Sequence, residues 1–174
     1  MIVFINGSFG VGKTTVAQML AGELPNSLLF DAEEVGFMLR NILHPIDWSG
    51  DFQNYPMWRT LTVEVARGLK ENYGRTLIMP MTIRRKDYFD EVMTGLASID
   101  PEVHHFCLTA SADAICSRVR TRGEQPAGDW IFDQIEKCVS AFNSELFAEK
   151  IDTDKMSPHQ TMEYIVSRIT KKSA

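Results

Sequence analysis

The run Gly7-Ser8-Phe9-Gly10-Val11-Gly12-Lys13-Thr14-Thr15 gathers three glycines, a lysine and three hydroxyl side chains in one short stretch. Residues 7–14 fit the pattern GxxxxGK[ST], between an apolar run and a segment of helical period. Glycines let such a loop turn its N–H groups inward around phosphate oxygens. A helix starting at the lysine adds about half a positive charge at its N-terminus. The expected ligand is a nucleoside triphosphate with Mg²⁺. Lys13 reaches the β- and γ-phosphates and Thr14 turns a hydroxyl to the metal.

A cradle alone does not say where the γ-phosphate goes. Asp31 closes the second β-rich run, and in a parallel sheet with that strand beside the first its carboxylate faces the γ-phosphate region. There it deprotonates an attacking hydroxyl or holds Mg²⁺ through water. The competing explanation is helix capping, with Asp31 as N-cap and Glu34 at N3. Arg40 and Arg59, on the two helices that follow, are candidates for an acidic substrate group. The stretch Asp51-Phe52-Gln53-Asn54-Tyr55-Pro56-Met57-Trp58-Arg59 mixes flat rings with hydrogen-bonding heads. A pocket for a ring or sugar, built from Asp51, Gln53, Tyr55, Trp58 and Arg59, accounts for it, and so does interior packing. The third β-rich run ends Met79-Pro80-Met81-Thr82, without the acidic residue that many such proteins use to hold Mg²⁺.

Arg118, Arg120 and Arg122 end a helix that runs into Gly123-Glu124-Gln125-Pro126-Ala127-Gly128. The expectation is a lid over about 118–128. Arg118 and Arg122 share one helix face and stabilise the transferring phosphoryl group on closure, unless they only complement the helix dipole. Lys13, Asp31, Arg118 and Arg122 are thus the expected catalytic groups.

The elements that must position these residues alternate between two kinds. Short β-rich runs at 2–6, 27–30, 76–79, 103–108 and 149–152 are interleaved with helical patterns at 13–24, 32–43, 56–72, 86–98, 112–121, 129–147 and 158–171. This predicts an α/β fold, a five-stranded parallel sheet with helices on both faces, as a single domain over residues 1–174. Residues 44–55 lack periodicity and are expected to form a functional loop. Net charge is −5, with only short basic clusters at 84–86 and 118–122. A concentrated basic face is missing, which argues against a nucleic-acid partner. The initial apolar run 1–5 lacks the form of a signal peptide, and no stretch approaches a membrane span, so a cytoplasmic protein is expected. Cys107, Cys116 and Cys138 have no metal-ligand spacing and read as buried thiols. His104 and His105 read as packing residues. The stripe Met162, Ile165, Val166 and Ile169 of the last helix packs on the sheet, or else provides a weak peripheral membrane contact if left uncovered.

Taken together, these residues resemble the tunicamycin-resistance (TmrB-like) proteins of the P-loop kinase group. The resemblance covers nearly the whole chain. It rests on residues 5–14, on Asp31 with 35–40, on the DFQxYPxWR pattern at 51–59, on 79–83, on His104-His105-Phe106 and on 118–122. It implies ATP as the nucleotide and a nucleoside-like antibiotic as the small-molecule substrate, with phosphorylation of the drug as the expected reaction. Sequestration of the drug without turnover, or a nucleoside monophosphate kinase, are the alternatives. Oligomeric state is not specified by any of these features.

Overall fold

The computed structural model describes residues 1–47, 50–121, 129–147 and 149–172. Strand β1 (Ile2–Gly7) is buried along its whole length, as a central parallel strand covered on both faces must be. It pairs in parallel with β3 (Thr76–Pro80) on one side and β4 (Val103–Thr109) on the other. The outer strands are β2 (Ser27–Leu29) and β5 (Lys150–Asp152), giving the order β2-β3-β1-β4-β5. One expectation is corrected here: β2 is not beside β1, because β3 inserts between them. The chain builds one side of the sheet from β1 and then the other, and this reversal leaves a crevice at the carboxyl ends.

Among the described residues seven helices cover the sheet: α1 (Lys13–Glu23), α2 (Glu33–Leu43), α3 (Pro56–Tyr73), α4 (Lys86–Ile99), α5 (Ala112–Thr121), α6 (Asp129–Asn143) and α7 (Pro158–Lys172). Alternation along β1 sorts the core into two halves. Ile2 and Phe4 pack with Leu39, Trp58, Ala66, Phe89 and Leu96 of α2, α3 and α4. Val3 and Ile5 pack with Val16, Leu20, Ile115, Ile165 and Ile169 of α1, α5 and α7. Met162, Ile165 and Ile169 are therefore buried on the sheet, and the stripe is not open to a membrane. No helix among the described residues is long and apolar enough to cross a membrane.

His105 sits within a ring cluster of Phe4, Phe89 and Phe147, where burial pushes its pKa down to about 4 and keeps it neutral. Cys107 and Cys138 are buried free thiols; Cys116 is only half-buried.

Candidate functional site: a phosphate cradle between two cavities

Backbone freedom shapes the loop between β1 and α1. Gly7 leaves the strand at φ 146°, where a Cβ would lie 2.5 Å from the Leu108 carbonyl oxygen, and Gly12 enters the helix at φ 106°. Inside the loop Lys13 is buried, and its Nζ donates to the Ser8 carbonyl at 2.8 Å. Burial holds the Lys13 pKa down at about 8, against the opposing pull of Glu33 and Asp31. Thr14 and Thr15 are exposed at the helix start. Asn6 fastens the loop from behind. Its Oδ1 accepts from the N–H groups of Gly7 (3.0 Å) and Ile83 (2.9 Å), while its Nδ2 donates to the Ile83 carbonyl (3.0 Å). One fully buried side chain thus ties the cradle to the segment that follows β3.

The cradle opens into a cavity of about 260 Å³ lined by Phe9, Gly10, Gly12, Lys13, Thr14, Asp31, Glu33, Pro80 and Thr82. Asp31 follows β2, and its Oδ1 accepts from the Glu33 N–H at 2.9 Å. The expected cap is corrected: the N-cap of α2 is Ala32, with no side-chain cap hydrogen bond, and the Asp31 carboxylate instead closes a local turn just before the helix. Glu33 was not anticipated. Its carboxyl is pushed up by burial and next by the neighbouring Asp31, with Lys13 pulling the other way. The spacing i, i+2 at the entry to a helix is the signal that would have found it, since the Asp31 turn folds both carboxylates to one rim. Strand β3 ends in Pro80, so the acids of this cavity come from the β2 side. A threonine hydroxyl and two carboxylates lining one cavity are oxygen donors of the kind that Mg²⁺ takes.

Phe9 and Thr82 also line a second cavity, of about 540 Å³, with Arg40, Asp51, Gln53, Asn54, Arg84, Arg85, Tyr88 and Cys138. Three of the expected substrate residues, Arg40, Asp51 and Gln53, meet here. The Asp51 Oδ1 caps the short 3-10 helix Phe52–Asn54 by accepting from the Gln53 N–H, and Gln53 Nε2 donates to the Thr82 carbonyl at 2.8 Å. Gly36 of α2 allows that helix to approach, because a Cβ there would meet the Phe52 ring at 2.6 Å.

Tyr55, Trp58 and Arg59 stand behind the wall. Trp58 is fully buried and donates Nε1–H to the Ala32 carbonyl at 3.0 Å; the Tyr55 hydroxyl donates to the Asp47 carbonyl at 2.8 Å. Arg59 is buried, donating to Glu91 (2.5 Å) and to the Gln53 carbonyl (2.6 Å). Their common work is to fix residues 52–54, and interior packing accounts for their rings. Arg84, Arg85 and Tyr88 were missed as lining residues. The basic cluster at 84–86 was their only sequence signal.

On the other flank of the cradle lies a cavity of about 360 Å³, lined by Val11, Gly12, Thr15, Val16, Ser117, Arg118, Thr121, Thr153, Met156, Pro158 and Thr161. Arg118 was expected over the transferring phosphoryl group. Instead its guanidinium donates to the Thr153 hydroxyl (2.9 Å) and carbonyl (2.8 Å) and lines this apolar flank, away from the Lys13 and Asp31 cavity. Arg122 and residues 122–128 of the expected lid lie outside the described residues.

Comparison with known proteins agrees with this architecture. The AAA domain family matches residues 3–139. Among curated proteins no match was found. The tunicamycin resistance protein of Deinococcus radiodurans is 32% identical, with a TM-score of 0.80 over 97% of this chain and 94% of its own. A sugar kinase from a Janibacter species (18% identity, TM-score 0.67, covering 95% of this chain and 92% of its own) shares the fold. So does shikimate kinase from Acinetobacter baumannii, determined in complex with shikimate (14% identity, TM-score 0.69, 98% and 93%). The chain belongs to the AAA domain family and, among its P-loop kinase-like members, to the tunicamycin-resistance proteins.

Proposed function

We propose that the protein is an ATP-dependent phosphotransferase that moves the γ-phosphoryl group to a hydroxyl of a small nucleoside-like or sugar-containing molecule, a tunicamycin-type antibiotic being the class its family suggests. The observation that carries this reading is the shared lining. Phe9 and Thr82 border both the cavity of Lys13, Thr14, Asp31 and Glu33 and the larger polar cavity beside it. A donor phosphate and an acceptor hydroxyl meet at that seam, and bringing reactants together supplies a large share of catalysis in phosphoryl transfer.

Residues 7–15 hold the triphosphate, Lys13 offsets charge on the transferring group and Thr14 takes part in holding Mg²⁺, which when bound neutralises phosphate charge. The apolar flank with Arg118 receives the nucleotide base, its guanidinium offering a flat face for stacking. Arg118 then positions the nucleotide and does not act on the phosphoryl group. Arg122 and the 122–128 segment remain part of the proposal as a closing lid.

Asp31 and Glu33 divide the remaining tasks. Burial, and after it the neighbouring Asp31, push the Glu33 carboxyl up, which makes it a stronger base toward an attacking hydroxyl. Asp31 would then help to hold Mg²⁺ through water. The test is ADP release that depends on an added acceptor. Glu33→Gln lowers it about 10²-fold with ATP binding intact. Asp31→Asn lowers it further than Glu33→Gln and raises the magnesium concentration needed for half-maximal release. Unchanged turnover in either variant removes that residue from the chemistry.

A further inference from the structure

Among the described residues only Phe9 and Thr82 border both the cavity of Lys13 and the larger cavity beside it, and of the two only Thr82 carries a hydrogen-bonding side chain. We propose that the Thr82 hydroxyl is a further catalytic group, which donates to a γ-phosphoryl oxygen on the side the acceptor approaches and holds that group in line for transfer. This deepens the kinase reading and rests on residues 7–15 holding the triphosphate.

Three observations support it. The first is where donors come from. Lys13 and Thr14 supply them to the phosphate cavity from α1, whereas the side chains on its β2 side, Asp31 and Glu33, are carboxyls. Among the described residues no arginine lines that cavity, and Arg118 is engaged with Thr153 on the opposite flank. Thr82 is therefore the side-chain donor that the phosphate cavity shares with the acceptor side. The second is that its hydroxyl is uncommitted. Among the described residues the Thr82 side chain makes no hydrogen bond, and only its carbonyl is engaged, accepting from Gln53 Nε2 at 2.8 Å. Met81 and Ile83 on either side are buried in the same half of the core, so alternation turns the half-buried Thr82 away from that core. The third is that the residue is held in place. The Met81 N–H donates to the Ile5 carbonyl at 3.0 Å, closing the pairing of β3 with β1. One step further the Asn6 side-chain amide acts as a peptide group would, accepting from the Ile83 N–H and donating to its carbonyl. Because the same Asn6 Oδ1 accepts from the Gly7 N–H, one buried side chain sets the position of Thr82 against the cradle. A donor fixed before the phosphate arrives needs no reorganisation when it acts.

The chemistry of a hydroxyl suits this strand end. A carboxylate after β3 would hold Mg²⁺ but could not donate to a phosphate oxygen, and a threonine does the reverse. With the acids of the cavity on the β2 side, metal and phosphate contacts are divided between two strand ends. Phe9, the other border residue, packs against both halves of the core and offers no side-chain donor.

The test compares two nucleotides and needs no acceptor. Calorimetry with Mg²⁺ gives the affinity of wild type, Thr82→Val and Thr82→Ser for ADP and for AMP-PNP, a non-hydrolysable ATP analogue that carries the γ-phosphoryl group ADP lacks. Valine keeps the shape of the side chain and removes the hydroxyl; serine keeps the hydroxyl. Thr82→Val is expected to lose at least about tenfold in affinity for AMP-PNP, as for a lost hydrogen bond to a charged group, while its ADP affinity stays within about twofold of wild type. The unchanged ADP affinity shows that the variant is folded with its cradle intact. Thr82→Ser retains the wild-type preference for AMP-PNP. Equal losses for the two nucleotides would make Thr82 a structural part of the loop and overturn the proposal. An unchanged preference in Thr82→Val, or the same loss in Thr82→Ser, overturns it too. No phosphoryl group moves in this experiment, so the two readings fail separately: a protein that transfers to no acceptor still shows the Thr82 contact, and a transferase that does not use Thr82 shows none.

Discussion

The two cavities that flank the cradle differ in chemistry and in origin. The 360 Å³ flank is lined mainly by aliphatic and hydroxyl side chains from the start of α1, the end of α5 and the loop into α7. The 540 Å³ flank is charged and polar, built from α2, the 3-10 helix, the segment after β3 and the start of α4. An apolar slot with one flat cation suits an aromatic base, and a charged bowl suits a hydroxylated molecule. One cradle between two unlike cavities is what a donor and a distinct acceptor require. A protein that only hydrolysed nucleotide would not need the second.

The largest effect expected from breaking this arrangement strikes both sides together. Lys13→Met removes the cation at the seam, and acceptor-dependent ADP release falls by about 10³-fold. Thermal stability holds or rises, because the charged lysine is disfavoured by burial. A melting curve run beside the kinetics separates lost chemistry from lost fold.

Arg118→Ala sharpens the difference between the flanks. It raises the KM for ATP by about tenfold and leaves the acceptor KM alone. An equal fall of kcat with unchanged KM would return Arg118 to the phosphoryl group.

A pH series acts through the same lysine. Its folded pKa, about 8, lies below the ordinary value of 10.5. The charge that attracts phosphate is present below that pH and is lost as pH rises through it. ATP affinity measured by calorimetry therefore weakens by up to about tenfold between about pH 7 and about pH 9. Because the unfolded lysine stays charged to higher pH, burial penalises folding less over the same interval, so the apo protein is not destabilised through this group.

Smallest is Gly36→Ala. Its methyl group would press on the Phe52 ring and move the 3-10 helix that carries Gln53 and Asn54. Acceptor KM rises a few fold, stability drops by about 1–3 kcal/mol and ATP KM stays constant.

The parts of the molecule differed in how far they could be read from sequence. Strands and helices followed from periodicity, to within a few residues at their ends. The cradle was contiguous, so its residue types and its position between strand and helix were visible together. Spatial strand order was not, since β3 comes between β2 and β1 for reasons of sheet-wide packing. The larger cavity is assembled from the cradle loop, α2, residues 50–54, the segment from Thr82 to Tyr88 and α6, which is why Arg84 and Arg85 had no visible connection to Arg40 or Asp51. Trp58 misled because a ring beside polar residues has the same composition facing inward or outward. Its burial was nonetheless encoded, since Trp58, Thr62 and Ala66 repeat every fourth residue on the buried side of α3.

The account turns on transfer across the seam. ATP labelled in its γ-phosphate, incubated with the protein, Mg²⁺ and a panel of tunicamycin, nucleosides, sugars and their anionic counterparts, and then analysed by mass spectrometry, tests this most directly. The prediction is an acceptor that gains one labelled phosphoryl group on a hydroxyl in step with ADP formation, absent in Lys13→Met. Saturable binding of an acceptor with no mass gain under excess ATP would contradict it, leaving a protein that closes over its ligand without turnover.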